Sequence, residues 1–201
     1  MSLSDELRLQ DGDALVLVDV QQDFLPGGHL GVPDGDQVIA PLNSAVRLFQ
    51  SRDLPVVATR DWHPLNHCSF EPQGGPWPQH CVQHTQGADW APQLQLPDDV
   101  IVISKGDTAT QEAYSGFQGT NLADRLHHRQ VRRLVIGGLA TDYCVLQTVL
   151  DARAQGFEAL VLKDAIRAVN VSPGDDEKAL ERMRGAGARL TRSQDLFDAN
   201  R

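Results

Sequence analysis

The chain has 201 residues, of which 41% are hydrophobic and 22% are charged, and this composition excludes a chain that is disordered throughout. A chain of this length buries about 70% of the surface that its unfolded form exposes, so it can fold without disulfides or a structural metal. Its net charge of −9 argues against general binding to nucleic acid, which needs a basic face. At roughly 150 residues per domain, we expect one domain spanning residues 1–201.

The sequence also restricts where the protein works. The longest apolar run, residues 14–18, is far shorter than the ~20 residues of a membrane-spanning helix. The first 13 residues are polar and acidic, unlike a secretory signal. Cys68, Cys81 and Cys144 form an odd set, which predicts at least one free thiol rather than a disulfide framework. We expect a cytoplasmic protein without a membrane partner, and both a monomer and a homo-oligomer stay open.

Strand-type and helix-type segments alternate along the chain. Continuous apolar runs are typical of strands that are buried on both faces, and apolar residues at helical spacing indicate amphipathic helices. In chain order, the predicted elements are a strand at 14–20, a helix at 36–52, strands at 55–60 and 100–104, a helix at 121–128, a strand at 134–137, a helix at 143–154, a strand at 157–162, a helix at 174–184 and a strand at 188–191. This alternation predicts a three-layer α/β/α fold around a mostly parallel sheet of about six strands.

A long segment, residues 61–99, interrupts this alternation. It contains six prolines, four histidines and two cysteines, without a clear period. A loop of that length is usually either functional or disordered. Its four aromatic residues, Trp62, Phe70, Trp77 and Trp90, favour an ordered segment. We therefore expect an ordered, functional excursion from the sheet.

Three reactive side chains follow predicted strands, and in open parallel sheets ligands bind beyond the carboxyl ends of the strands. Asp19 interrupts an apolar run, where a carboxylate needs a partner, and Lys105 can supply the charge. Cys144 follows the glycines at 137–138 near the start of a helix, a setting that stabilises thiolates, if Thr141 or Asp142 is the N-cap. The pattern favours a catalytic group of carboxylate, lysine and thiol. The alternatives are a loop-capping carboxylate and a buried, inert cysteine.

The long segment carries a second group, Asp61, His63, His67 and His80. Carboxylate and imidazole ligands suit Zn²⁺, Fe²⁺ or Mn²⁺. Asp61 and His63 point to the same side of an extended chain, because the side-chain period there is two. Two alternatives stay open, a closed structural zinc site that includes the neighbouring Cys68 and Cys81, and polar loop residues without a metal.

The sequence gives little support for a nucleotide cofactor or for a histidine partner of Cys144. No G-x-G-x-x-G motif follows the first strand and no P-loop is present, so we expect no nucleotide cofactor. His127 and His128 lie beside arginines on a helix, which indicates a solvated face rather than a histidine partner for Cys144.

Six pieces of the sequence together resemble the nicotinamidases, which are members of the isochorismatase-like cysteine hydrolases. They are LVDVQQDFLPGG at 17–28, TRDWHPLNHCSF at 59–70, WPQHCVQ at 77–83, SKG at 104–106, YSGF at 114–117 and GLATDYCV at 138–145. The resemblance implies hydrolysis of nicotinamide to nicotinate and ammonia through a thioester, in NAD salvage, with pyrazinamide as a second substrate. The rivals are a related hydrolase with another substrate and a non-catalytic metal-binding module.

The resemblance also implies a catalytic role for particular residues. Cys144 would be the nucleophile, Asp19 the general base and acid, and Lys105 the third member of the group. The Leu139–Ala140 peptide bond would be cis, and the amides of Ala140 and Cys144 would form the oxyanion hole.

The same resemblance assigns residues to the metal and the substrate. Asp61, His63 and His80 would hold one divalent metal, with His67 as a further ligand in some members of the family. Phe24 and Trp77 would flank the pyridine ring of the substrate, and Tyr114 would close the pocket.

Overall fold

Six parallel strands form one sheet in the order β3-β2-β1-β4-β5-β6. The computed structural model describes residues 6–201. The strands are β1 (Asp13–Val18), β2 (Val56–Asp61), β3 (Ile101–Lys105), β4 (Arg133–Leu139), β5 (Glu158–Arg167) and β6 (Arg189–Thr191). This sheet confirms the prediction of a mostly parallel, roughly six-stranded sheet, and every pairing in it is parallel.

Helices cover both faces of the sheet. The α-helices described here are α1 (Ile39–Gln50), α2 (Leu122–His128), α3 (Leu146–Ala154), α4 (Asp175–Gly185) and α5 (Ser193–Ala199). Between residues 6 and 201, none of the helices is both long and apolar enough to cross a membrane. The strands alternate with the α-helices along the chain, except between β2 and β3, where the long segment takes the place of a helix.

The side chains on the two faces of β1 pack into two separate apolar cores. Leu15 and Leu17 pack in the core that contains Phe49 of α1, and Val16 and Val18 pack in the core that contains Leu126 of α2. Successive side chains of a strand point to opposite faces, so an uninterrupted apolar run fits a strand that is covered on both sides. The central position of β1 in the sheet explains why its six residues are all buried.

The structure places several element boundaries differently from the sequence. β1 ends at Val18 rather than at residue 20, because Asp19 adopts a left-handed conformation with φ of 48° that leaves the strand path. The helix predicted at 36–52 begins as a 3₁₀ turn, Gly35–Val38, before α1. β5 continues to Arg167, beyond the predicted end at 162.

The sequence-based prediction missed α5 entirely. This helix has only seven residues, too few to show a clear helical period. Its first residue, Ser193, donates hydrogen bonds from its backbone N–H and its hydroxyl to the carboxylate of Asp164 in β5. The cap thus comes from a residue 29 positions earlier, which local sequence reasoning does not detect.

Gly138 is the closest point of approach between β4 and β1. It has φ of 128°, and a Cβ atom there would lie 2.1 Å from the carbonyl oxygen of Val18. We predict that Gly138→Ala lowers the free energy of unfolding by about 3 kcal/mol, because backbone atoms of two strands must separate.

Gly156→Ala is the matched control for this prediction. Gly156 also has a positive φ, 89°, but a Cβ atom there meets nothing within 4 Å. This variant should lose only about 1 kcal/mol, the cost of the left-handed conformation. Urea denaturation of both variants measures the difference, and equal losses would contradict the close-approach argument.

Candidate active site

Four buried polar side chains meet at the carboxyl edge of the sheet. Asp19 follows β1, Asp61 ends β2, Lys105 ends β3, and Cys144 follows β4. Asp61 and Lys105 are register partners in adjacent strands. The strand order reverses next to β1, and this is the place where open α/β sheets bind their ligands. The structure therefore brings together the three residues predicted as the catalytic group and one predicted metal ligand.

The ammonium group of Lys105 is the centre of this cluster. Its Nζ lies 2.9 Å from Oδ2 of Asp19 and 3.5 Å from Sγ of Cys144, and it forms an ion pair with Oδ1 of Asp61. It also donates a hydrogen bond of 3.3 Å to the carbonyl oxygen of Ala113. The Lys105 side chain is fully buried, so these contacts replace its water shell.

Asp19 presents one carboxylate oxygen that is still able to accept a proton. Its Oδ1 accepts a hydrogen bond of 2.7 Å from the hydroxyl of Thr59. Its Oδ2 lies beside the ammonium of Lys105 but accepts no well-directed hydrogen bond from residues 6–201. A carboxylate oxygen of Asp19 and Sγ of Cys144 lie within 4.8 Å of each other. This geometry suits proton transfer between the thiol and the carboxylate.

Burial and the charges within the cluster shift the pKa values of Cys144, Asp19 and Lys105. Burial raises the pKa of the Cys144 thiol well above its ordinary value, although Lys105 acts against this. Burial also raises the pKa of Asp19, again against the attraction of Lys105. Burial alone would lower the pKa of Lys105, but Asp19 and Asp61 raise it well above its ordinary value. Burial therefore works against a free thiolate at Cys144, so a nearby base that accepts the thiol proton would assist its reaction.

Cys144 sits in a tight turn that links β4 to α3. The residues Thr141–Val145 form a π-helical turn whose N-cap is Ala140, so the helical segment starts before residue 143 and neither Thr141 nor Asp142 is the N-cap. The carbonyl oxygen of Ala140 accepts hydrogen bonds from the amides of Tyr143 and Val145. The Leu139–Ala140 peptide bond is cis, as the resemblance implies.

Asp142 has a different partner from the one expected of a cap. Its carboxylate accepts hydrogen bonds from the amides of Val169 and Asn170, at 2.9 and 2.8 Å. Asp142 therefore ties the loop after β5 to the turn that carries Cys144.

Asp61, His63 and His80 form a buried group whose potential ligand atoms lie within 4.8 Å of one another. Nε2 of His63 lies 3.6 Å from Oδ2 of Asp61, and Nε2 of His80 lies 3.9 Å from it. Nδ1 of each histidine lies within 2.9 Å of a carbonyl oxygen, that of Gly106 or Pro78. A carbonyl only accepts, so each Nδ1 carries a proton, and in the neutral imidazole each Nε2 offers a lone pair. This is the way histidine ligands of metals are usually oriented, and the set fits a divalent metal.

His67 lies next to this group but does not belong to it. Its ring packs against that of His63, with ring centres 4.1 Å apart. Its Nδ1 lies 2.7 Å from the hydroxyl of Ser69, and its Nε2 lies 3.0 Å from the carbonyl oxygen of Gln111. Within residues 6–201, neither Cys68 nor Cys81 joins a group of potential metal ligands, so the described residues do not form the closed zinc site with cysteines.

An aromatic pocket opens above Cys144. The predicted substrate-binding residues Phe24, Trp77 and Tyr114 all line it, and the space between the lining atoms is about 380 Å³, including open solvent at the mouth. The indole N–H of Trp77 donates a hydrogen bond of 2.9 Å to the hydroxyl of Tyr114, and Tyr143 contacts the Trp77 ring edge to face. Ala140, Asp61 and His80 also line the pocket, so it joins the catalytic group to the metal group.

Sequence reasoning missed four residues that line the pocket, Leu30, Val32, Tyr143 and Val169. Tyr143 precedes Cys144, and its place in the predicted helix gave no signal of its own. Leu30 and Val32 come from the loop after β1, whose path is set by tertiary contacts. Val169 follows β5 and is held by Asp142, a contact between residues 27 positions apart.

Comparisons with known proteins agree with this geometry. The family model for the isochorismatase domain matches residues 13–195. The chain is 40% identical to the nicotinamidase of Escherichia coli, over 88% of this chain and 93% of that protein. It is similar to the zinc complex of a pyrazinamidase from Pyrococcus horikoshii, with a TM-score of 0.87, 48% identity and coverage of 90% and 99%. It is also similar to PnC1 of L. infantum in complex with nicotinate, with a TM-score of 0.86, 38% identity and coverage of 92% and 94%.

The parallel α/β/α sheet with a buried thiol, lysine and carboxylate at its switch point defines a cysteine hydrolase of the α/β class. More particularly, the chain belongs to the isochorismatase family.

The two buried carboxylates depend on Lys105 for charge compensation. We predict that Lys105→Met lowers the free energy of unfolding by about 3–5 kcal/mol at neutral pH, because it leaves Asp19 and Asp61 without their cation. Lys178→Met is the control, since Lys178 makes an exposed pair with Asp175 at 3.1 Å, and exposed pairs contribute little to stability. Guanidinium denaturation of both variants measures the difference. A loss below about 1 kcal/mol for Lys105→Met would refute the central role of this ion pair.

Proposed function

We propose that this chain is a metal-containing cysteine amidase that hydrolyses nicotinamide to nicotinate and ammonia. The observation that carries the proposal is the position of the Lys105 ammonium, 3.5 Å from Sγ of Cys144 and 2.9 Å from Asp19, beneath an aromatic pocket that Cys144 lines. The pocket also reaches the metal group through Asp61 and His80. The similarity to the nicotinamidase of Escherichia coli and to a nicotinate complex supports the choice of substrate.

The first chemical step forms a carbon–sulfur bond. Asp19 takes the proton of the Cys144 thiol, and the resulting thiolate attacks the carbon of the carboxamide. Lys105 stays charged and stabilises first the carboxylate and then the thiolate. The carboxamide oxygen becomes an oxyanion that accepts hydrogen bonds from the amides of Ala140 and Cys144. The loss of one such donor typically costs about 3 kcal/mol of transition-state stabilisation.

The second half of the reaction releases both products. The carbon–nitrogen bond breaks while Asp19 gives its proton to the leaving nitrogen, which departs as ammonia and leaves a thioester on Cys144. Water then attacks the thioester carbon and gives a proton to Asp19. The carbon–sulfur bond breaks, the sulfur recovers a proton from Asp19, and the product is nicotinic acid, which gives its carboxyl proton to water and leaves as nicotinate. Asp19 thus acts as base and acid in turn.

We propose Asp61, His63 and His80 as the ligands of one divalent metal, Zn²⁺, Fe²⁺ or Mn²⁺. The support is the donor set and the two oriented imidazoles. The zinc in the structure of the P. horikoshii pyrazinamidase also supports a metal here. When bound, this metal would supply a Lewis acid for the ring nitrogen of the substrate. For His67 we propose support of the His63 ring, with direct ligation as the alternative.

The pocket favours a flat heteroaromatic amide. We propose that Phe24 and Trp77 flank the ring and that Tyr114 closes the pocket, because all three line it and Trp77 holds the Tyr114 hydroxyl. Pyrazinamide has the same shape and should be a second substrate. We further propose that residues 1–201 act as a single domain, since one sheet positions Asp19, Lys105 and Cys144. The similarity to the nicotinamidase of Escherichia coli supports a role of this domain in NAD salvage.

Cys144→Ala tests the nucleophile. We predict at least about a 1,000-fold loss of ammonia release from nicotinamide with an unchanged unfolding midpoint, because the variant has no atom to form the thioester. Cys68→Ala is the control, since Cys68 is a free, partly buried cysteine outside the pocket lining. It should keep wild-type activity. Substantial turnover by Cys144→Ala would exclude the thioester, and no turnover by the folded, metal-loaded wild type would exclude nicotinamide as the substrate.

Removal of one imidazole tests the role of the metal. We predict that His63→Ala lowers the bound metal, measured by atomic emission, and raises the KM for nicotinamide, while the protein stays folded by circular dichroism. His84→Ala is the control, because His84 packs against Trp62 and lies outside the metal group. A structural metal would behave differently, since its removal unfolds the protein. Full activity of a metal-free wild type would refute this part of the proposal.

A further inference from the structure

Gln21 is a fully buried residue that lies outside the pocket lining, yet it contacts the site through its side chain. Its Nε2 donates hydrogen bonds to the carbonyl oxygens of Asp61 and Ala88, at 2.8 and 3.0 Å. Its Oε1 accepts a hydrogen bond of 2.8 Å from the amide of Asp61. One side-chain amide therefore pairs with both backbone groups of Asp61.

The reason for this contact is the early end of β1. β2 pairs with β1 as far as Thr59, and the last backbone bond in this direction runs from the amide of Asp19 to the carbonyl of Thr59. Asp19 then leaves the strand path with φ of 48°. Within the described residues 6–201, Asp61, two residues beyond Thr59, therefore has no strand neighbour on that side. A buried amide and carbonyl without partners are costly. The side chain of Gln21 makes the two hydrogen bonds to Asp61 that a neighbouring strand would otherwise make.

Asp61 needs a fixed orientation because its two oxygens have different partners. Oδ1 faces the ammonium of Lys105, and Oδ2 faces the Nε2 atoms of His63 and His80. A rotation of the Asp61 backbone would move both oxygens at once. With its amide and its carbonyl held by Gln21, the residue cannot turn without breaking these two hydrogen bonds.

The segment that contains Gln21 also contacts the chain next to His80. Asp23 accepts a hydrogen bond of 2.7 Å from the amide of Cys81, the residue after His80. The chain that leaves β1 thus contacts the backbone of one proposed ligand and of the neighbour of another.

We propose that Gln21 is a positioning residue for the metal group, acting through the backbone of Asp61. This inference rests on the proposed metal site and adds to it the residue that fixes the carboxylate ligand. Residues that orient metal ligands typically change metal affinity by tenfold to 100-fold when they are replaced.

Gln21→Met tests the inference, because methionine keeps the length of the side chain and loses all three hydrogen bonds. Asn43→Leu is the matched control. Asn43 is also buried and also pairs its side-chain amide with backbone groups, the carbonyl of Gln93 and the amide of Gln95, but it lies outside the metal group. The two variants should lose similar stability. A difference in their metal binding therefore distinguishes a specific effect of Gln21 on Asp61 from a general loss of stability.

The measurement is titration of metal-free, full-length protein with Co²⁺, followed by its visible absorption bands, which report ligand number and geometry. We expect Gln21→Met to bind Co²⁺ about tenfold to 100-fold more weakly with altered bands. Asn43→Leu should stay within about twofold of wild type with unchanged bands. Gln21→Asn, which keeps the amide but is one methylene shorter, should show a smaller loss in the same direction and serves if the methionine variant does not fold.

Two results would overturn the inference. Wild-type affinity and bands in the folded Gln21 variants would show that Asp61 holds its orientation without Gln21. An equal loss of affinity in Asn43→Leu would show a general effect of lost stability. A wild-type protein that does not bind Co²⁺ would instead overturn the proposed metal site, and with it this inference.

Discussion

The buried ammonium of Lys105 is the interaction on which the rest of the site depends. Two carboxylates and a thiol surround it without access to water, and buried charges are tolerated only when they are paired. One cation against the two carboxylates of Asp19 and Asp61 leaves one negative charge in the cluster. This residual charge lies beside the imidazoles of His63 and His80, so it favours a cation there. The catalytic group and the metal group are therefore electrostatically one unit, joined by Asp61.

The geometry of this unit follows from a single departure of the chain from regular structure. β1 ends one residue before Asp19, which turns its carboxylate toward Lys105 instead of continuing the strand. Among residues 6–201, the departure leaves the backbone of Asp61 without a strand partner on the β1 side, and the side chain of Gln21 supplies hydrogen bonds there. Asp19 thus places the carboxylate beside Lys105, and Gln21, two positions later, supplies the hydrogen bonds that the early end of β1 leaves out.

Much of this arrangement follows from sequence reasoning, because its causes are local. The apolar run at 14–18 predicts a central strand, and a polar residue at its end predicts a group at the sheet edge. The positions missed by the sequence depend on distant contacts. Asp164 caps α5 from β5, and Asp142 holds the loop that brings Val169 to the pocket. The raised pKa of the Cys144 thiol also depends on tertiary structure, because a pattern of residues does not reveal how completely the folded chain excludes water from the thiol.

The exclusion of water has a consequence for the proposed proton transfer. In water, a carboxyl of pKa ~3.9 is a weak base for a thiol of pKa ~8.5, and the difference amounts to about 6 kcal/mol. Burial raises the pKa of Asp19, which makes it a stronger base, and it raises the pKa of Cys144 as well. The transfer moves one negative charge from Asp19 to Cys144, and both lie within 3.5 Å of Lys105. The ammonium of Lys105 therefore lies beside an anion before and after the proposed transfer. The negative charge moves from Asp19 to Cys144 without losing its cationic partner.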